Sequence, residues 1–178
     1  VILAKRYGSD APPFGTLQGL TVIKQWQDGT GPVSHLPIDG EVIEQRHAAV
    51  SGVLIDPATN RPRFAVEVPV VIEGELRYLL GIRASSDRIA SLLTESVIGD
   101  WVIGVGDRDG DCVTRVPGHD AFSGKPGVPE FLALATGFEG NFRSRNPFGD
   151  EILAGYSHTS LSGWLVAASV PADFIEAP

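Results

Sequence analysis

Three aspartates, Asp107, Asp109 and Asp111, alternate along Gly104-Val-Gly106-Asp-Arg-Asp-Gly110-Asp111, and alternating carboxylates are how many calcium-binding loops begin. The rest of that pattern is missing. Gly110 stands at the fourth place of such a loop instead of the sixth, and the twelfth place, which needs a bidentate Glu, holds Gly118. The glycines have the wrong last spacing for a dinucleotide fingerprint as well. A solvated Asp-Gly hairpin turn accounts for the stretch better than a metal or phosphate site. The histidines His35, His47, His119 and His158 are scattered, without the H-x-x-x-H or H-E-x-x-H spacing of a metal site. His119-Asp120 could join a hydrolytic site with Ser157 or Ser160 as nucleophile. Yet Gly155-Tyr-Ser157-His-Thr159 lacks the second Gly of a nucleophile elbow and reads as a strand hairpin. Cys112, the single cysteine, lies in a strand-like run and reads as a buried thiol. No catalytic residue, metal site or cofactor follows from these patterns.

Arginine carries the remaining signal. Residues 61–88 hold Arg61, Arg63, Arg77, Arg83 and Arg88 against Glu67, Glu73, Glu75 and Asp87 in a chain whose net charge is −8. Arginines pointing inward between a sheet and a helix would suit a carboxylate or phosphate ligand through bidentate pairing. Surface ion pairing on strand edges is the plainer alternative. The acidic balance argues against nucleic acid or an anionic membrane surface as partner. With 43% hydrophobic and 20% charged residues, the composition is that of a globular protein. The apolar runs stop well short of the ~20 residues that a membrane helix needs. The chain has no Met, which reads as a fragment cut from a longer protein.

The elements that must position these groups alternate between sheet and helix. Leu20–Trp26 and Pro32–Leu36 read as strands around a turn at Asp28-Gly29. A helix capped by Asp39 follows, with Val42, Ile43 and Arg46 on one face up to Ala49. Val50–Ile55, Arg63–Ile72 and Leu76–Arg83 read as a three-strand meander with that helix as cover. Ser85 or Ser86 caps a helix to Val97, whose stripe Ile89, Leu92, Leu93 and Val97 is expected to be buried between modules. Strands Trp101–Gly106 and Cys112–Val116 come next, then an irregular stretch and a short helix with Pro129 in its first turn. Strand Glu139–Arg145 and a closing hairpin, Glu151–Ser157 with Trp164–Val170, end the chain. Trp164 is expected to pack on the helix at 129–136, and Pro171 to end its strand. Strand, strand, helical segment and three strands thus occur twice, an α+β structural repeat.

Val50–Val70 (VSGVLIDPATNRPRFAVEVPV), Gly140–Arg145 and Tyr156–Pro171 (YSHTSLSGWLVAASVP) resemble the double CACHE sensor domains of bacterial transmembrane receptors, especially sensor histidine kinases. The resemblance implies two PAS-like modules, residues 1–95 membrane-distal and 96–178 membrane-proximal. Each would be a mostly antiparallel five-stranded sheet with helices packed on it. It also implies an extracytoplasmic, periplasmic domain without enzymatic activity, in a membrane-anchored two-component signal-transduction receptor that pairs as a homodimer. The long entry helix of such receptors is not seen, and neither is the Arg/Trp/Tyr/Asp pattern of members that bind free amino acids. A small-molecule ligand, an anion or carboxylate, is expected in a partly polar cavity of the first module, beneath Ser34–Ala49. Its contacts are expected to be Trp26, His35, Arg63, Glu67, Tyr78 and Arg83. A small hydrolase and a ligand-free structural or dimerising module are the alternatives.

Overall fold

The structure, a computed structural model, describes residues 21–24, 37–97, 99–146 and 148–176. The chain divides into two compact units, residues 1–51 with 64–85, and residues 52–63 with 86–178. The strand pair read as Pro32–Leu36 and the turn before it lie outside the described residues.

In the first unit, β1 (Thr21–Lys24), β5 (Glu75–Ser85), β4 (Pro62–Ile72) and β2 (Ala49–Val50) lie side by side in that order. β3 (Leu54–Ile55) and its partners at the start of β4, Pro62 and Arg63, belong to the second unit. β4 alternates, and its more deeply buried face is the one that carries Glu67. Ala65 and Glu67 are fully buried, whereas Phe64, Val66 and Val68 are half-buried. Glu73 and Gly74, both at positive φ (53° and 82°), form the two-residue turn into β5, the backbone twist that hairpins favour. Helix α1 (Asp39–Gln45) packs against β5 through a fully buried Val42.

Two expectations change here. Asp39 lies inside α1 and is itself buried, while Ile38 occupies the cap position. The helix then ends early because Arg46 turns left-handed at φ 58°. Second, the strand read over residues 50–55 is split into β2 and β3. Ser51 interrupts it: its N–H donates to the Ala65 carbonyl (2.9 Å), and its hydroxyl oxygen accepts the Ala65 N–H (2.8 Å). A side chain thus substitutes for a backbone acceptor, and the ladder breaks after it.

The second unit contains β6 (Val102–Gly106), β7 (Cys112–Val116), β8 (Glu139–Arg145), β9 (Glu151–His158) and β10 (Leu165–Pro171). They form one antiparallel sheet in the order β7-β6-β10-β9-β8. Numbered within the unit, that is second, first, fifth, fourth, third. In the first sheet, the described strands also run first, last and last but one, and β4 then pairs with both β2 and β3. Val105, Val113, Ile152, Leu165 and Val170 are buried, and each such side chain is worth about 1.5–3 kcal/mol. Helix α2 (Ser86–Thr94) packs on β7, and α4 (Pro129–Leu134) packs on β8. Between β7 and α4, the stretch read as irregular contains a further turn of helix, α3 (His119–Phe122). β10 ends at Pro171, as expected, and passes straight into α5 (Ala172–Glu176).

The stripe expected on α2 is not buried as a whole. Ile89, Leu93 and Val97 are half-buried, but Leu92 is 67% exposed, and the fully packed residues are Ser86 and Ala90. Ser86 serves something other than a cap. Its hydroxyl donates to the Pro62 carbonyl (3.0 Å) and meets the Ser123 hydroxyl at 3.1 Å, which in turn donates to the Val113 carbonyl (2.7 Å).

Candidate functional site

A cleft of about 380 Å³ opens in the second unit between the sheet and its α3–α4 cover. Directly opposed residues of an antiparallel ladder share a face. The registers Leu165↔Gly106, Ala167↔Gly104, Ser169↔Val102, Gly104↔Arg115 and Pro171↔Ile152 therefore put these residues on one floor. That floor is low in the middle because its central residues are Gly104, Gly106, Ala167 and Ser169. The roof comes from Phe122, Val128, Phe131 and Leu132. Phe131 meets Phe142 edge-on (centroids 4.8 Å apart), and Phe142 continues to Tyr156 at 5.6 Å, an aromatic row that ties α4 to β8 and β9.

Backbone pairing holds the roof down. The Cys112 N–H donates to the Lys125 carbonyl (2.8 Å), Gly124 N–H to the Cys112 carbonyl (2.7 Å), and Gly127 N–H to the Gly110 carbonyl (2.8 Å). Gly110, at φ 87°, must be glycine for two reasons. A side chain would be strained there, and its Cβ would fall 2.8 Å from Leu132 Cδ1.

Two groups on the sheet side give the cleft its chemistry. Cys112 is free and half-buried, and burial pushes its thiol up to about 11, so it is a neutral thiol at ordinary pH. Arg115 is half-buried, with its guanidinium carbon 4.5 Å from the centre of the Phe122 ring. One of its N–H groups donates to the Pro117 carbonyl. Among the described residues it has no carboxylate partner, and burial draws its pKa below the usual arginine value. At the mouth, Arg145 is paired loosely with Glu151 at 3.7 Å, beside Phe148 and Asp100.

The three alternating aspartates form a turn, not a cradle. Asp107 is buried, and its Oδ1 accepts the N–H groups of Asp109 and Asp111, both at 2.9 Å, while Oδ2 accepts the Val53 N–H at 2.7 Å. Asp111 has a raised pKa, first from burial and then from Asp107 and Asp109 beside it. Among the described residues, no three His, Cys, Asp or Glu side chains are grouped to hold a metal.

His119 lies far from the serines paired with it in the hydrolase reading. Its Nε2 is 2.8 Å from Asp87 Oδ1 and its Nδ1 is 2.8 Å from Thr114 Oγ1. A carboxylate can only accept, so in the neutral ring Nε2 carries the proton and Thr114 donates to Nδ1. The order Thr, His, Asp has the connectivity of a hydrolytic triad, but Thr114 is fully buried and no substrate can reach it. His158 bonds the Gly137 carbonyl instead, at 2.9 Å.

The residues expected to bind a ligand are described only in part. Trp26 and His35 lie outside the described residues, as does the side chain of Tyr78. Glu67 is fully buried in the first unit. Arg83 is half-buried there, with a buried Nε that has no hydrogen-bond partner among the described residues. Arg63 belongs to the second unit and is paired with Asp56 at 2.7 Å. Trp164 is buried at the turn before β10, its N–H donating to Thr159 Oγ1 at 3.0 Å. Arg115 and the glycine-alanine floor were missed in the sequence reading. Their one signal was the recurrence of small residues at every second position of β6 and β10.

The fold is similar to that of extracellular domains of histidine kinases and ligand-binding domains of chemoreceptors. Among solved structures, the extracellular domain of a protein named as a histidine kinase (mmHK1S-Z3) is similar, with a TM-score of 0.70 at 13% identity, over 89% of this chain and 74% of that one. A second such domain, rpHK1S-Z16, gives 0.61 at 14%, over 89% and 72%. The ligand-binding domain of the Pseudomonas aeruginosa PAO1 amino-acid chemoreceptor PctB, solved with L-Arg, gives 0.62 at 17%, over 87% and 73%. No family model and no curated protein matches the sequence.

Proposed function

We propose that this chain is the extracytoplasmic small-molecule-sensing part of a transmembrane signal-transduction receptor, a two-component sensor histidine kinase. Support comes from one observation above all: a fold shared with extracellular sensors, carrying an open cleft between a five-stranded antiparallel sheet and its helical cover. Proteins usually bind small molecules in such largely apolar clefts with a few placed polar groups. In this reading the two sheets are two PAS-like modules, the parent chain is anchored in the inner membrane, and the receptor works as a homodimer. The shared strand order of the two sheets favours the repeat. No helix among the described residues is long and apolar enough to cross a membrane, so the anchor would come from sequence flanking this domain.

The domain itself senses and does no chemistry; a ligand shifts it between two packings, and the chain after Pro171 carries that difference onward. The ligand set Trp26, His35, Arg63, Glu67, Tyr78 and Arg83 belongs to the same proposal, with the condition that Arg63 would have to release Asp56 to take part. PctB was solved with an amino acid. The Arg/Trp/Tyr/Asp pattern for such a ligand is missing here, which favours a different small anion. The parent gene decides the class. Membrane-spanning segments on both sides, followed by a kinase or other output domain, are the expected result. A coding sequence without membrane segments around this domain would overturn the reading.

A further inference from the structure

We propose that the cleft of the second unit is a ligand site of its own, taking a small monocarboxylate with an apolar body, its carboxylate on Arg115 and its hydrocarbon or aromatic part over Gly104 and Ala167. The inference deepens the sensor reading and rests on it for the consequence of binding; binding itself is a property of this unit alone.

Shape and charge argue for it together. The floor is low where Gly104, Gly106 and Ala167 stand, and the roof is made of Phe122, Phe131 and Leu132, so the interior suits a flat or narrow apolar group. A cleft of about 380 Å³ is at the small end of the range of ligand pockets, roughly 300–1,000 Å³. Arg115 is the charged group of the sheet floor, on the same face as Gly104 by direct register. It is held in place from two sides, by the Phe122 ring and by the Pro117 carbonyl. Room for it depends on Gly118, where a Cβ would sit 2.9 Å from Nη1.

A half-buried guanidinium without a carboxylate partner loses hydration and gains little in return. A carboxylate supplied by a ligand would satisfy its remaining N–H groups in the bidentate geometry arginine favours. Cys112 does not compete with a ligand carboxylate for Arg115: it stays a neutral thiol and adds polarisable apolar surface to the wall. The charged residues of the lining are Arg115, Arg145 and Asp100; Arg145 is paired with Glu151 at the mouth, so Arg115 is the cationic group left for a ligand.

Titration calorimetry on the 178-residue chain tests this with hexanoate and benzoate beside hexanol and benzyl alcohol. Both acids are expected to bind at least about tenfold more tightly than their alcohols. Arg115→Gln should remove that preference, weakening the acids about tenfold and the alcohols by less than about twofold. Gly104→Val gives an independent arm, since a Cβ at Gly104 meets nothing within 4 Å and its methyls would enter the cleft; it should abolish binding of all four compounds. The thiol of Cys112 provides a readout that needs no variant, because an acid in the cleft should slow its alkylation by iodoacetamide. Equal binding of acids and alcohols, or no binding of either acid, overturns the proposal. Such a failure leaves the sensor reading standing on the first unit, and a parent gene without membrane segments would leave the binding measurement untouched.

Discussion

The carboxylate of Asp107 receives the backbone N–H of Val53 at 2.7 Å across 54 residues of chain. Its other oxygen closes the β6–β7 turn on Asp109 and Asp111. One buried side chain therefore shapes a hairpin and also fixes a distant loop of its own unit. The loop can come that close only because residue 52 is glycine, where a Cβ would fall 2.7 Å from the Asp107 carboxylate.

Asp107→Ala leaves three N–H groups without their acceptor. A buried orphan donor costs about 1–3 kcal/mol, and water can replace some of the three, so we expect a loss of about 2–4 kcal/mol in urea unfolding. Gly52→Ala should weaken the same contact. A midpoint unchanged in both variants would show that the contact contributes nothing.

His119→Ala should destabilise by about 1–3 kcal/mol, because the fully buried Thr114 hydroxyl loses its partner and Asp87 loses a hydrogen bond. Thermal unfolding measures this. Hydrolysis of p-nitrophenyl acetate should stay at the level of the buffer in both proteins; turnover by the parent that vanishes in the variant would revive the hydrolase reading.

The Cys112 thiol should react slowly. A rise from 9.0 to about 11 leaves roughly a hundredfold less thiolate at pH 8, so alkylation should lag a model thiol by at least about that factor. The folded value is the raised one, so the fold gains stability from the neutral thiol below the unfolded value. That stability is lost as pH climbs through 9 towards 11. Rates and melting temperatures between pH 7 and 11 follow both effects, and Cys112→Ala should flatten the melting-temperature slope.

On the acid side, Asp56 has a lowered pKa, chiefly through the Ala58 N–H and then through Arg63. A lowered value means stability present above the ordinary carboxylate range and lost as pH falls through the folded value. Asp56→Asn should therefore shrink the loss of stability between pH 5 and 3, read from unfolding midpoints across that range.

Leu92 and Leu93 stand side by side on α2 and should differ. Leu92→Ala, at a site 67% exposed, is expected to change stability by less than about 0.5 kcal/mol. Leu93→Ala, half-buried, should cost about 1–2 kcal/mol, below the 2–5 typical of a full core position. Equal costs for the two would contradict the burial of α2.

Local chemistry was legible wherever a residue acts through its own backbone or its alternation. Pro171 ends β10 because it has no N–H to give the ladder, and Glu73-Gly74 turns β4 into β5 because the pair accepts positive φ. Strands β7 and β8 lie on the residues that their β-branched and alternating side chains mark out. The strand order, by contrast, depends on which edges meet after the chain has crossed the sheet. No residue type encodes that order, and Ser51 shows how a single side-chain acceptor can break a strand that propensity alone would continue. The site divides in the same way. Gly104, Gly106 and Ala167 were visible as small residues in strands, but they become the floor of a cleft only when β10 pairs with β6 in one register. Arg115 looked like any strand arginine. Its meaning arose when folding stacked it on Phe122, set it on the same face as that floor and left it, among the described residues, without a carboxylate, a half-buried charge that only the tertiary structure could create.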